Sequence, residues 1–276
     1  MNNNVVRLKD TKNMRNLTVL VTSKCTLKCK LCATYASRHP NPSHYSYETL
    51  TRSVARYFDS VPETVGIVTV SGGEPFLHPQ LPEIMEFIIQ YADRVRMIEI
   101  ITNAAIVPND RLLKVLSSCE KINLLVDNYG EKLSVNLRKL TEKLDSYGIA
   151  YRVRNYTKED PWRGGWLDVS DFTEKNRQDV EIEALFRRCD YNNVCSNIDF
   201  LINGRVHMCY VIHEALPEVE ELPDESVDLL DDKLEHAEIW EQIIGLRNRK
   251  YILACKNCNG YLTEDGKRQK PAEQFD

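Results

Sequence analysis

The sequence predicts an α/β fold built on a parallel sheet. Over the first 155 residues, short runs of branched and apolar residues alternate with stretches of helical period. Turns bearing glycine, proline or asparagine separate them. At 276 residues the chain can bury one large core and carry a small second domain.

The elements follow in order. Residues 17–22 (LTVLVT) read as a buried strand, and Ser46 caps a helix from Tyr47 to Tyr57 with Leu50, Val54 and Tyr57 on one face. Residues 66–71 (GIVTVS) form a second strand, followed by a glycine turn and a helix over 81–92. A third strand covers 97–102, a third helix 110–119, and a fourth strand 121–128. A helix ending near Leu144 leads into a fifth strand at 149–155. Right-handed crossovers place the carboxyl ends of all these strands on one rim, where sites gather in such folds. That rim collects the loop after the first strand, Ser71-Gly72-Gly73-Glu74, Thr102-Asn103 and Asp127-Asn128-Tyr129-Gly130.

Beyond residue 156 the pattern changes. Residues 158–166 read as a loop across the mouth, and 198–211 as a hairpin turning at Asn203-Gly204. The acidic, proline-punctuated stretch 214–232 reads as a surface loop. A helix over 234–249 leads to Cys255 and Cys258, and the tail 266–276 is expected to be poorly ordered. The expected division is a core domain over 1–185 and a small β-hairpin and helix domain over 186–276.

The net charge of -5, with scattered basic residues, gives no reason to expect nucleic acid. No apolar run reaches membrane-spanning length, and the polar opening lacks the apolar centre of a secretory signal, so the expected location is cytoplasmic. In that setting, the clustering of nine cysteines reads as metal ligation rather than disulfides. Cys119 stands apart and reads as a small buried hydrophobe.

Cys25, Cys29 and Cys32 stand in a C-x3-C-x2-C spacing. Three thiolates hold a [4Fe–4S] cluster by three irons and leave the fourth open for a substrate or cofactor, whereas electron-carrying clusters take four cysteines. A zinc site would need His39 or His44 as a fourth ligand, and neither falls at a customary spacing. Gly72 and Gly73 permit close backbone approach, and the Glu74 carboxylate can receive an ammonium group.

These motifs, with Ile101-Thr102-Asn103-Ala104 at a later strand end, resemble the radical S-adenosylmethionine (radical SAM) superfamily over about residues 15–155. The resemblance implies a partial (β/α)6 TIM-like barrel in which S-adenosylmethionine (SAM) chelates the open iron. Glu74 and the backbone at Gly72 and Gly73 would then hold the methionine ammonium, with Thr102 and Asn103 near the ribose or methionine part. Family members often have an aromatic residue just before the third cysteine. Here Leu31 offers adenine an apolar contact without stacking. The implied chemistry is reductive cleavage of SAM to a 5′-deoxyadenosyl radical that takes a hydrogen atom from substrate. A flavodoxin or ferredoxin would supply the electron.

Farther on, Cys209 and the Cys255/Cys258 pair resemble the Twitch domain, a shortened SPASM domain that binds one auxiliary [4Fe–4S] cluster. Its remaining ligand is either Cys189 or Cys195, and the other of the two is either an inert thiol or a hydrogen-atom donor to a substrate radical, as in certain radical SAM epimerases. A structural four-cysteine zinc site is the competing reading. Asp127, Asn128, Tyr129, Arg152, Arg154 and Trp166 are candidate substrate-lining residues. Residues 127–130 (DNYG) with the following KLS, Trp166-x-Asp168 and the distal cysteine arrangement resemble Twitch-type enzymes acting on sugars or aminocyclitols, by oxidation or epimerisation. The alternatives are a maturase of a ribosomal peptide and a non-enzymatic iron–sulfur or zinc binding module.

Overall fold

A computed structural model describes residues 14–157, 161, 164–190, 197–209, 225–262 and 267–276. Its centre is one open eight-stranded sheet in the order β5-β4-β3-β2-β1-β7-β8-β9. The strands are β1 (Asn16–Thr22), β2 (Val65–Gly72), β3 (Val95–Thr102), β4 (Ile122–Asn128), β5 (Ala150–Asn155), β7 (Ile198–Ile202), β8 (Arg205–His207) and β9 (Val227–Asp228). β5 through β1 and β7 are mutually parallel, and β8 and β9 continue the sheet antiparallel. The expected partial (β/α)6 arrangement is therefore present, as six parallel strands in a sheet that does not close. Asn203 and Gly204 make the hairpin turn with positive φ at both residues, as a tight two-residue turn requires.

The helices are α1 (Tyr47–Ser60), α2 (Leu81–Ile89), α3 (Asp110–Ser117), α4 (Leu137–Tyr147), α5 (Asp179–Arg188) and α6 (His236–Arg247). Ser46 caps α1 by accepting from the Thr49 amide, as expected from the sequence, and Asn109 does the same for α3. Gly148 closes α4 in the left-handed conformation.

Period-two alternation gives the sheet two chemically different faces. Val19, Val68, Val70, Ile98, Ile100, Leu124 and Val126 belong to the core shared with the helices. The intervening residues of the same strands turn away from the helices and are partly polar. On that face Glu99 accepts from Asn123 at 3.3 Å and pairs with Arg152 at 2.7 Å.

Two expectations are corrected. The stretch 214–232 is not wholly a surface loop. Val227 and Leu229 are buried, and β9 adds an edge strand beside β8. The tail is ordered over its described part: β10 (Arg268–Gln269) pairs antiparallel with β6 (Trp166–Leu167), and later residues lie on the cysteine loop. Sequence polarity suggested disorder there because the tail is held by backbone pairing, which leaves no apolar pattern.

A buried charge ties α1 and α6 to β7. Asp199 is fully buried, accepts from the Tyr57 hydroxyl at 2.7 Å, and pairs with Arg247 at 2.5 Å. Removing one partner of a buried pair strands the other charge. Asp199→Ala should therefore destabilise the protein by about 3–5 kcal/mol in chemical denaturation. A loss below about 1 kcal/mol, the level of an exposed pair, would contradict this account.

Candidate active site

The loop after β1 is closed at its base. Thr22 donates its hydroxyl to the Ser43 carbonyl at 3.0 Å, and the Tyr45 amide donates to the Val21 carbonyl at 3.1 Å. His44 turns to Thr22, with Nδ1 at 2.9 Å from its hydroxyl. The β1–β2 register slips between Leu20 and Thr22, which re-aims the chain into the loop.

The end of β2 lies against the start of that loop, backbone to backbone. The Gly73 amide donates to the Thr22 carbonyl at 2.7 Å, and the Glu74 amide donates to the Lys24 carbonyl at 2.8 Å. A Cβ at Gly72 would fall 2.1 Å from the Thr22 carbonyl oxygen, and one at Gly73 would fall 2.0 Å from that of Lys24. Gly72 also holds a φ of +138°. The two glycines thus have a local reason beyond any ligand.

The three thiols of the loop lie within electrostatic reach of one another. Cys29 is buried and Cys25 and Cys32 are half-buried. Burial pushes the Cys25 thiol up to about 12 and the Cys29 thiol up to about 11, so metal uptake here would displace protons. Each sulfur has a hydrogen-bonding neighbour: the Leu27 amide at 3.4 Å from Cys25, Gln274 at 3.1 Å from Cys29, and the Thr34 hydroxyl at 3.3 Å from Cys32. Leu31 is half-buried between the second and third cysteines.

Glu74 is fully buried where β2, β3 and the loop meet. Its carboxylate accepts from the Phe76 amide at 3.1 Å, the Thr102 hydroxyl at 3.0 Å and the Asn103 amide at 2.9 Å. The Thr102 hydroxyl also lies 3.1 Å from the second oxygen, so both carboxylate oxygens are engaged. Burial nevertheless raises it to about 7, with Asp127 adding repulsion. Asn103 reaches back to the loop, donating to the Thr26 hydroxyl at 3.0 Å with its side-chain amide 3.7 Å from Cys25 Sγ.

The ends of β4 and β5 complete the rim. Arg154 holds Asp127 through two hydrogen bonds of 2.5 and 2.7 Å, and the Tyr129 hydroxyl lies 3.1 Å from the same carboxylate. Tyr129 stacks on Tyr156 at 5.1 Å and meets the Trp166 edge at 5.7 Å. Tyr129 also feels the Cys29 thiol, which joins this group to the cysteine loop. Arg152 sits one pleat deeper, paired with Glu99, and Asn128 donates across the strand ends to Asn155 at 2.8 Å. Tyr156, Thr26 and Gln274 were missed in the sequence. Tyr156 continues the alternation of Arg152 and Arg154 by one more step, a signal that was available.

The radical SAM superfamily model matches residues 19–159, half of the chain. The chain belongs to the radical SAM superfamily. Members are enzymes that use a [4Fe–4S] cluster with SAM, and the geometry fits those groups: three thiols with fixed donors, beside a buried carboxylate. Two solved structures share the fold over nearly all of both chains. The structure of native anSMEcpe with bound AdoMet has 14% identity, covers 94% of this chain and 93% of that one, and gives a TM-score of 0.53. BtrN in complex with AdoMet and 2-DOIA has 17% identity, covers 95% and 98%, and gives 0.50. Streptococcus suis SuiB bound to S-adenosylmethionine has 19% identity and a TM-score of 0.42 over 55% of this chain, which spans only 37% of SuiB's length. No match was found among curated proteins.

The second cysteine group of this radical SAM chain lies below α5. Cys189, Cys209, Cys255 and Cys258 line one small cavity of about 20 Å³ with Phe186, Ile252 and Tyr261. Burial raises Cys255 to about 12 and also raises Cys258, and both feel Cys189. Among the described residues, no three His, Cys, Asp or Glu side chains close around a point as a single metal ion needs. Cys195 lies outside the described residues. Cys119 is half-buried against the main core. Also among the described residues, no helix is long and apolar enough to cross a membrane.

Gly73→Ala should drive the new methyl into the Lys24 carbonyl. We expect about 1–3 kcal/mol of destabilisation, as for an overpacked site, and a severalfold loss of iron uptake on anaerobic reconstitution. Wild-type thermal stability together with full iron content in this variant would refute the glycine argument.

Proposed function

We propose that this radical SAM enzyme takes a hydrogen atom from a sugar or aminocyclitol and so oxidises or epimerises it. In this reading Cys25, Cys29 and Cys32 hold three irons of the cluster. The loaded cluster and SAM together supply a 5′-deoxyadenosyl radical. The Glu74 carboxylate receives the methionine ammonium. Gly72 and Gly73 fix the neighbouring backbone, Thr102 and Asn103 border the ribose or methionine part, and Leu31 contacts adenine.

The observation that carries the substrate reading is the Asp127, Arg154 and Tyr129 group beside Cys29. A carboxylate held by a guanidinium and a phenol presents paired donors and acceptors to hydroxyl groups. The Tyr129, Tyr156 and Trp166 rings wall that side and limit water. Arg152 and Asn128 support the same rim from their partners Glu99 and Asn155. The peptide reading has its own support in anSMEcpe, which was also solved with a Cp18Cys peptide. At such low identity these likenesses speak for the fold alone, so the substrate class rests on the rim residues.

The four-thiol pocket supports an auxiliary [4Fe–4S] cluster held by Cys189, Cys209, Cys255 and Cys258. That assignment leaves Cys195 as the candidate hydrogen-atom donor. Retention of a second electron by the auxiliary cluster would favour oxidation, and return of a hydrogen atom from Cys195 would favour epimerisation. A flavodoxin or ferredoxin fits as the external reductant.

Anaerobically reconstituted protein should hold about eight irons and release 5′-deoxyadenosine under reduction. Replacing Cys25, Cys29 and Cys32 together by Ala should stop that release, and release that persists would end this reading. Incubation with deuterated sugars or aminocyclitols should place deuterium in 5′-deoxyadenosine. Transfer from a deuterated peptide that outpaces every such compound would favour the maturase reading. Because burial holds Glu74 near 7, SAM should bind more tightly as the pH rises from about 6 to about 8 and the carboxylate ionises. In Glu74→Gln, calorimetric titration should find weaker binding without that rise.

A further inference from the structure

Residues 267–276 cross from the substrate side of the rim to the cysteine loop. At one end Arg268 and Gln269 pair with Leu167 and Trp166, so closely that a Cβ on Gly165 would lie 2.6 Å from the Gln269 carbonyl oxygen. Ala272, buried and with a φ of +52°, turns the chain. At the other end the Lys30 amide donates to the Glu273 carbonyl at 2.7 Å, and the Phe275 amide donates to the Lys28 carbonyl at 2.8 Å. Lys30 pairs with the Glu273 carboxylate at 2.6 Å, and the Arg38 guanidinium lies 5.9 Å from the Phe275 ring.

The Gln274 side chain is held at both ends. Its Oε1 accepts from the Lys28 amide at 2.7 Å, while its Nε2 donates to the Ala272 carbonyl at 2.7 Å and to Cys29 Sγ at 3.1 Å. Flipping the amide would set its NH2 against the Lys28 N–H and its oxygen against a carbonyl and a sulfur. The orientation therefore follows from the network. Cys29, the sulfur beneath this segment, is buried, while Cys25 and Cys32 are half-buried.

We propose that residues 267–276 form a strap over the cluster loop and that Gln274 is a positioning residue whose N–H on Cys29 Sγ raises the reduction potential of the cluster. This rests on the reading of Cys29 as a cluster ligand. The reduced cluster carries one more electron, so a fixed donor on its sulfur stabilises the reduced form more than the oxidised one. The strap also begins at the partner strand of Trp166, which couples the substrate wall mechanically to the cluster loop.

The test uses the full chain, anaerobically reconstituted, as wild type, Gln274→Leu and Gln274→Glu. The signal followed is the electron paramagnetic resonance of the reduced cluster that changes on adding SAM. If it persists in the triple Cys25, Cys29 and Cys32 to Ala variant, the ligand reading falls and this inference falls with it. If it is lost there, its midpoint potential decides the present point. Gln274→Leu should shift it negative, by about a tenfold change in the reduced-to-oxidised ratio, or ~59 mV for one electron. Gln274→Glu keeps an acceptor for Lys28 but puts a carboxylate on the sulfur, so it should shift the potential further with iron content unchanged. Equal potentials in all three would overturn the proposal. Should a variant fail to take up iron, wild type carrying amide-15N glutamine gives a second reading. A weak 15N coupling to the same signal supports the contact, and its absence overturns it.

Discussion

Everything at the rim depends on one close contact between two stretches of backbone. The end of β2 lies on the residues that leave β1, near enough that neither Gly72 nor Gly73 could carry a side chain. That contact fixes where the cysteine loop begins, and the Glu74 amide extends it by one more bond to Lys24. The Glu74 side chain then turns to the end of β3 and gathers Thr102 and Asn103. Asn103 in turn reaches back to Thr26 in the loop. Three separate strand ends are thereby locked in one frame by short polar bonds in a buried place, where an unmade bond is expensive.

The sheet beneath makes this possible by dividing its labour between faces. The helix-side residues supply the apolar core, so the other face is free to carry charge. Asp127 and Arg154 are neighbours in register on β4 and β5, and Arg152 reaches from β5 across β4 to Glu99 on β3. Each acid has its base across or near the next strand. These two acids are thus held ionised on the rim side by their own guanidinium partners.

Much of this was legible in the sequence, because it is written in local patterns. The period-two and helical runs marked the five N-terminal parallel strands and their helices, and Ser46 announced α1. The cysteine spacing, SGGE and Thr102-Asn103 marked the rim, since each directly follows a strand. Tyr156 lay one step along a visible alternation. What remained hidden was set by contacts distant along the chain. β9 is too short to show a period, and the acidic residues before it masked Val227 and Leu229. The sequence separating Gln274 from Cys29 has no motif linking them. Even the two glycines, noticed as permissive, gave no sign that their neighbour would be the chain's own carbonyl groups.

The contact between Gln274 and Cys29 joins residues 245 positions apart. Closing a loop of that size in an unfolded chain costs about 5 kcal/mol of chain entropy. A few hydrogen bonds on the strap cannot meet that cost alone, so the parallel sheet must form first and bring the two ends near. During synthesis on the ribosome, the cysteine loop is therefore made and framed by β2 and β3 long before its cover exists. This makes residues 267–276 the last piece of the rim to settle.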